Sequence, residues 1–107
     1  MRWHIQRNTG SLTLSRLNPA RFDLAVETFL PRVGKLRLAQ QIRQDIWRNL
    51  QTLRGFAPVV HIEDAGDMVK VTVGGQVDGK FPLGHATARI ETVLNNTQNR
   101  ERWLRNA

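Results

Sequence analysis

The feature that most constrains this chain is a long apolar stripe between Lys35 and Arg54. Six apolar side chains recur there with the 3.6-residue period of one helical face. They are Leu38, Ala39, Ile42, Ile46, Leu50 and Leu53. Gly55 follows, and glycine commonly stands just beyond the end of a helix. The pattern predicts a helix over residues 35–54 whose apolar face must pack against a second layer of structure.

The second layer is indicated by two β-branched runs after this helix, at residues 59–63 and 68–73. A turn containing Gly66 separates them, which is typical of a β-hairpin. Valine alternates with polar residues in the later run, so one side of the sheet is expected to face water. Gly74 and Gly75 then predict the end of the strand, and residues 76–81 are predicted to add a third short strand.

The remaining segments predict one more hairpin and two more helices. Residues 1–6 and 11–16 alternate apolar and polar side chains around a turn-prone stretch, which predicts a terminal β-hairpin. Asn18 followed by Pro19 is typical of a helix start, and apolar residues at helical spacing predict a helix over 19–30. A further helix is predicted over 85–95. Residues 97–107 are expected to form a helical or flexible basic tail.

These elements follow one another in the order ββααβββα, as antiparallel hairpins packed against two or three helices. Helices segregated from hairpins are typical of the α+β class. A length of 107 residues fits a single domain over 1–107. No apolar run is long enough to cross a bilayer, and the first residues lack the apolar stretch of a signal peptide. We therefore expect no membrane contact and a cytoplasmic location.

Charge is the main functional clue in the sequence. The chain holds 16 Lys and Arg against 9 Asp and Glu, a net charge of +7. Residues 1–57 carry ten of the bases and three of the acids, whereas residues 58–85 are slightly acidic. A GC-rich genome would produce the same abundance of arginine with no functional meaning. The predicted 35–54 helix nevertheless contains no glutamate, so its exposed face should be positive and suited to a polyanion.

The sequence contains no complete motif for catalysis, for a metal site or for a phosphate-binding loop. Since the chain has no cysteine, thiolate metal sites and a cysteine nucleophile are excluded. His61 and Glu63 have the spacing of a zinc-deaminase motif, but that site also needs two cysteines. A Gly-x4-Gly-Lys pattern ends at Lys80, but Phe81 stands where a phosphate-binding loop requires Ser or Thr. We therefore predict that the chain is not an enzyme and uses no cofactor and no metal.

Two basic segments form the candidate binding surface, because Arg and Lys bind phosphates. The candidates on the predicted helix are Lys35, Arg37, Arg43, Arg48 and Arg54, and those on the tail are Arg100, Arg102 and Arg105. Trp103 lies among the tail arginines and is a candidate partner anchor, since tryptophan is common at interface hot spots. Docking on the core and stacking on a nucleobase are the other two interpretations of this side chain.

The leading hypothesis is a small accessory or regulatory protein that binds nucleic acid or another polyanion through these residues. An acidic protein surface would suit the same bases. The alternative is a protein-interaction module with no role in nucleic-acid binding, in which the tryptophans supply anchors and the chain could form a homodimer. These hypotheses differ in whether the bases converge on one surface, which the sequence does not determine.

Overall fold

The computed structural model describes residues 3–107, which form five β-strands and three α-helices. The strands are β1 (His4–Asn8), β2 (Ser11–Ser15), β3 (Leu24–Pro31), β4 (Ala57–Ala65) and β5 (Met68–Gln76). The helices are α1 (Lys35–Asn49), α2 (Leu83–Asn95) and α3 (Thr97–Asn106). The predicted α+β class is confirmed. The observed order is βββαββαα, with a strand where the first helix was expected.

The strands make one antiparallel sheet in the order β1-β2-β4-β5-β3. In its centre Val60 lies opposite Val73, and both are fully buried beneath the helices. Since successive side chains of a strand face opposite sides, His61 and Thr72, which also lie opposite each other, face away from the helices. The sheet therefore has one apolar and one polar side, as the alternation in β5 predicted.

The three helices lie on the apolar side and enclose the core. α1 packs on β2 and β4, α2 packs on β3, and α3 packs on the other two helices. The stripe that predicted α1 supplies Leu38, Ile42 and Ile46, none of which has exposed surface. α1 ends at Asn49, five residues before the predicted end, and a series of turns carries the chain to β4.

Residues 24–31 form an edge strand, so the helix predicted over 19–30 is wrong. Burial alternates along β3, and Leu24 and Leu30 are both buried. The β-branched Val26 and Thr28 between them favour a strand. β5 offers β3 a pairing partner at every position from Leu24 to Pro31. This long-range pairing outweighs a local spacing that is compatible with either structure.

Gly74 and Gly75 lie inside β5, so the predictions of a strand end there and of a third strand over 76–81 are wrong. A side chain at Gly74 would overlap the carbonyl group of Leu24 in β3, and one at Gly75 would overlap that of Ala57 in β4. The two glycines therefore allow the backbones of three neighbouring strands to approach closely. The chain after Gln76 leaves the sheet as a loop.

The other predicted elements agree with the structure in type. The terminal hairpin is present as β1 and β2, although residues 1 and 2 of the prediction lie outside the described residues. The helix predicted over 85–95 is α2, and the tail is helical as α3. The side chain of Asn96 accepts the Asn99 N–H at 2.9 Å and caps α3. Among residues 3–107, no helix has the length and apolar content needed to cross a membrane.

Candidate nucleic-acid interface

The exposed side of α1 carries the basic surface that the sequence predicted most directly. Arg37, Gln40, Gln44 and Arg48 lie exposed there, because the apolar stripe holds the opposite side against β2 and β4. Residues three or four positions apart are neighbours on a helix, so these four side chains follow one another along its length. We call these four residues the outer row of α1.

The carboxylate of α1 is turned away from the outer row. Asp45 is 7% exposed, and its Oδ2 accepts hydrogen bonds from Trp103 Nε1 and from Arg102 Nη2, both at 2.7 Å. The Arg102 ion pair offsets the charge of Asp45, and the indole bond satisfies a buried donor. The outer row is therefore positive, with no acid of α1 beside it.

Trp103 lies in the core with 0% of its surface exposed. Besides the bond from its indole to Asp45, its backbone carbonyl accepts a hydrogen bond from Gln41 Nε2 at 3.1 Å. A side chain without exposed surface offers nothing to a partner or a base, so the assignment of Trp103 as a partner anchor is corrected. Helix formation in the tail turns this side chain onto α1, which agrees with its interpretation as a core residue.

Arg100 and Arg102 were predicted to contact a polyanion, but both have partners inside the chain. Arg102 pairs with Asp45. Arg100 donates from Nη2 to the carbonyl of Phe29 at 2.8 Å and from Nη1 to the carbonyl of Leu94 at 3.0 Å. These contacts fasten α3 to α1, β3 and α2. Of the three tail arginines, Arg105 alone is exposed and without a polar contact in the described part of the chain.

Lys35 begins α1 and is held by Asp64 near the end of β4. Lys35 Nζ lies 2.7 Å from Asp64 Oδ1, and Arg32 Nη1 lies 2.8 Å from the same oxygen. The hydrogen bond from Lys35, supported by that from Arg32, lowers the pKa of Asp64 although desolvation opposes the change. Lys35 is therefore less available to a phosphate than the outer row.

The lowered pKa of Asp64 predicts a dependence of stability on pH. The unfolded chain binds a proton at Asp64 more readily than the folded chain does. The contribution of Asp64 to the free energy of unfolding is therefore complete above about pH 4, and it is lost as the pH falls through the lowered pKa that Asp64 has in the folded chain. Urea unfolding at a series of acidic pH values measures this loss. In the Asp64→Asn variant the fall in stability should be shallower, and an unchanged slope would contradict the prediction.

Arg43 is the base of α1 that contacts an aromatic ring. Its guanidinium carbon lies 4.5 Å from the centre of the Trp3 ring, and that of Arg16 lies 6.0 Å from the same ring. Burial lowers the pKa of Arg43, but an arginine remains charged in proteins. Trp3 is half-buried, and this contact holds Arg43 beside the outer row.

Two grooves lie along α1. The first has a volume of about 420 Å³ and is lined by Arg37, Gln40, Gln41, Arg43, Gln44 and Asn106. It thus combines guanidinium groups, which bind phosphate oxygens, with side-chain amides, which can bond to phosphates or to the edges of bases. Two predicted site residues, Arg37 and Arg43, meet in this groove.

The second groove has a volume of about 350 Å³ and lies where α1 ends. Trp47, which is 38% exposed, forms part of its wall together with Gln51, Arg16 and the predicted site residue Arg54. Trp47 and Arg16 were not among the predicted site residues. The position of Trp47 at the border of the apolar stripe was an available signal. Arg16 directly follows β2, and only the packing of β2 beneath α1 brings it here.

The polar side of the sheet is occupied by contacts between its own side chains. His61 Nδ1 lies 2.7 Å from Thr13 Oγ1, and His61 Nε2 lies 3.7 Å from Glu63 Oε2. Lys70 Nζ lies 2.8 Å from Glu27 and 3.8 Å from Glu63. These contacts, which lie between neighbouring strands and, for His61 and Glu63, within β4, account for both residues as part of a solvated sheet surface.

The candidate interface therefore consists of α1 and the turn after it. Arg37 and Arg43 share one groove there, Arg54 lines the other, and Arg48 lies exposed on α1. The other predicted bases lie in α3 or pair within the chain. No family model, curated protein or solved structure matches this chain.

Proposed function

We propose that this chain binds single-stranded nucleic acid, without catalysing a reaction, through the outer row of α1 and the groove beside Trp47. The observation that carries the proposal is the outer row itself, which is positive because Asp45 is buried against Arg102. Within residues 3–107, the exposed Arg37 and Arg48 have no ion pair and are available to phosphates. The cytoplasmic location expected from the sequence is compatible with such a partner.

The length of the outer row suits several consecutive phosphates. Arg37 and Arg48 stand eleven positions apart on α1, which corresponds to about 16 Å along the helix axis. Arg43 and the two glutamines of the outer row, Gln40 and Gln44, lie between them. Because a guanidinium group can bond two oxygens of one phosphate at once, each arginine can hold a separate point of an extended backbone.

Trp47 favours a single strand over a duplex. Its exposed indole lies in the same groove as Arg16 and Arg54. An unpaired base can stack on such a ring while the arginines bind the adjoining phosphates, and stacking of this kind contributes about 1–3 kcal/mol per base. The bases of a duplex are stacked on one another and offer no free ring face to Trp47.

The double variant Arg37→Gln with Arg48→Gln tests the proposal. We expect it to bind a labelled thymidine oligonucleotide about tenfold more weakly, equivalent to about 1.4 kcal/mol. Each phosphate contact with a single strand contributes about 0.7 to the slope of log K against log salt, so the loss of two contacts should reduce the slope by about 1.4. Fluorescence anisotropy titrations at several salt concentrations measure both quantities.

A control with the same net charge separates a site from a general effect of charge. Arg21→Gln with Lys70→Gln also removes two positive charges, but neither residue lies on α1. Both are engaged in ion pairs, Arg21 with Asp23 at 3.1 Å and Lys70 with Glu27 at 2.8 Å. This variant should retain the affinity of the original chain, and a duplex of equal length should bind more weakly than the single strand. Equal weakening by both double variants, or binding that salt does not affect, would contradict the proposal.

A protein-interaction module is the second candidate function. The tryptophans that suggested it give it less support, because Trp103 is buried and Trp3 is half-buried with Arg43 against its ring. The observation that favours a protein partner lies elsewhere, at the open edge of β3. An acidic protein would meet the same bases as nucleic acid, and absence of oligonucleotide binding would favour that partner for α1.

A further inference from the structure

β3 leaves one edge of the sheet open, and the ladder shows where its backbone groups point. Along an antiparallel strand, hydrogen bonds alternate between the two neighbours. In β4, the backbone N–H of Asp64 donates to the carbonyl of Gly10 on the β2 side at 2.8 Å, so the backbone groups of the adjacent Glu63 face β5 and bond to Lys70. The backbone groups of Lys70 therefore face β4 and not β3. Phe29 of β3 lies opposite Lys70, so its N–H and C=O point to the open edge.

The same alternation directs the backbone groups of Ala25 and Glu27 to the open edge. The contact of Phe29 agrees with this assignment, because Arg100 donates to its carbonyl at 2.8 Å. Arg100 thereby closes one end of the edge, whereas no strand within residues 3–107 pairs with it at Ala25 and Glu27. These positions present donors and acceptors that suit an added strand.

α2 stands beside this edge and turns it into a groove with a volume of about 480 Å³. Val26 and Thr28, which face the helix side of the sheet, contribute half-buried side chains to it. Its wall contains Thr87, Glu91 and Asn95, which are spaced four positions apart on one side of α2. An extended segment laid along β3 would point every second side chain at this wall.

The groove is acidic although the chain as a whole carries +7. Glu27 and Glu91 line it, and Arg100 lies at its closed end, where Nη1 donates to Thr28 Oγ1 at 3.3 Å and to the carbonyl of Leu94 at 3.0 Å. Glu27 is paired with Lys70 at 2.8 Å, whereas Glu91 is exposed and has no ion pair within residues 3–107. The carboxylate of Glu91 therefore favours a basic side chain in whatever occupies the groove.

We propose that this groove binds an extended basic segment of a partner protein, which joins the sheet as a strand beside β3 and places a Lys or Arg next to Glu91. Backbone hydrogen bonds to Ala25 and Glu27 hold the segment, and its β-branched side chains pack on Val26 and Thr28. A second copy of the chain fits less well, since pairing of two β3 edges would bring the acidic residues of both copies together.

The probe is an acetylated eight-residue peptide in which threonine alternates with valine and lysine. We expect saturable binding to the full chain, with the largest amide shifts in two-dimensional NMR spectra at Ala25, Glu27 and Glu91. Glu91→Gln should weaken binding by up to about fivefold, the upper end for one exposed ion pair. Glu101→Gln removes an acid that does not line the groove and should leave the affinity unchanged.

A second peptide, N-methylated at the residues whose N–H groups face β3, distinguishes strand addition from charge attraction. It retains every charge but lacks the backbone donors, so it should not bind. Equal binding of the two peptides, an equal effect of Glu91→Gln and Glu101→Gln, or amide shifts confined to other elements would overturn the proposal. A chain that does not bind the peptide, and forms a dimer in which the amides of Ala25 and Glu27 are protected from hydrogen exchange, would also overturn it and assign the edge to a second copy.

Discussion

Trp103→Ala is expected to lower the free energy of unfolding by about 3–5 kcal/mol, the range measured when large buried aromatic side chains are truncated. Trp103 is the largest of the fully buried side chains and joins α3 to α1. Its loss opens a cavity and removes the indole bond to Asp45, which leaves a buried carboxylate with one partner fewer. Since domains of this size are stable by only about 5–15 kcal/mol, the variant should be marginally folded.

Two further substitutions separate the causes of this loss. Trp103→Phe retains most of the apolar contact but breaks the bond to Asp45, so it should cost about 1–3 kcal/mol. Arg105→Ala changes an exposed neighbour on α3 and should stay within about 0.5 kcal/mol of the original chain. Urea unfolding followed by circular dichroism measures all three. A Trp103→Ala variant as stable as Arg105→Ala would show that α3 does not contribute to the core.

Gly74→Ala is expected to cost about 3 kcal/mol, at the upper end of typical overpacking effects. The new Cβ would overlap the carbonyl group of Leu24 and approach Ala25 Cα at 3.0 Å. Both are backbone atoms of β3, so no side-chain rotation can relieve the overlap, and β3 must move away from β5. The edge strand should therefore lose protection from hydrogen exchange before the central strands do.

Gly84→Ala is the matched control for this substitution. Gly84 lies in the first turn of α2, where an added Cβ meets no atom within 4 Å. Alanine favours a helix over glycine, so this variant should be unchanged or more stable by up to about 1 kcal/mol. Thermal unfolding and hydrogen exchange measure both variants. If Gly74→Ala were as stable as Gly84→Ala, the close approach of β3 and β5 would not be required for the fold.

The substitutions at Trp103 and Gly74 also affect the proposed binding surfaces. The network of Asp45, Arg102 and Trp103 holds the carboxylate of α1 buried and paired, so its disruption would change the charge at α1. The position of β3, which depends on Gly74, sets the open edge beside α2. Variants of either feature are therefore unsuitable as binding controls, and the surface substitutions given above avoid them.

The patterns that predicted correctly are local and repeated several times. α1 was evident because several apolar residues share its period, and the β4–β5 hairpin because two β-branched runs flank a glycine turn. The helix predicted over residues 19–30 was wrong because the apolar spacing there fits both a helix and a strand. Only the pairing of β3 with β5 decides between the two. The strand end predicted at Gly74 and Gly75 was wrong because, in a sequence, a glycine that lets strands pack closely cannot be distinguished from a glycine that ends a strand.

The sequence by itself determined that this chain folds as an α+β protein with a positively charged helix, since hydrophobic period and charge can be counted along the chain. Only the tertiary structure decided which bases are free to bind. Arg102 meets Asp45 across 57 positions of sequence, and Arg100 meets Phe29 across 71. Because such partners are brought together by packing alone, the positive side of α1 was predictable, whereas the engagement of Arg100 and Arg102 within the chain was not.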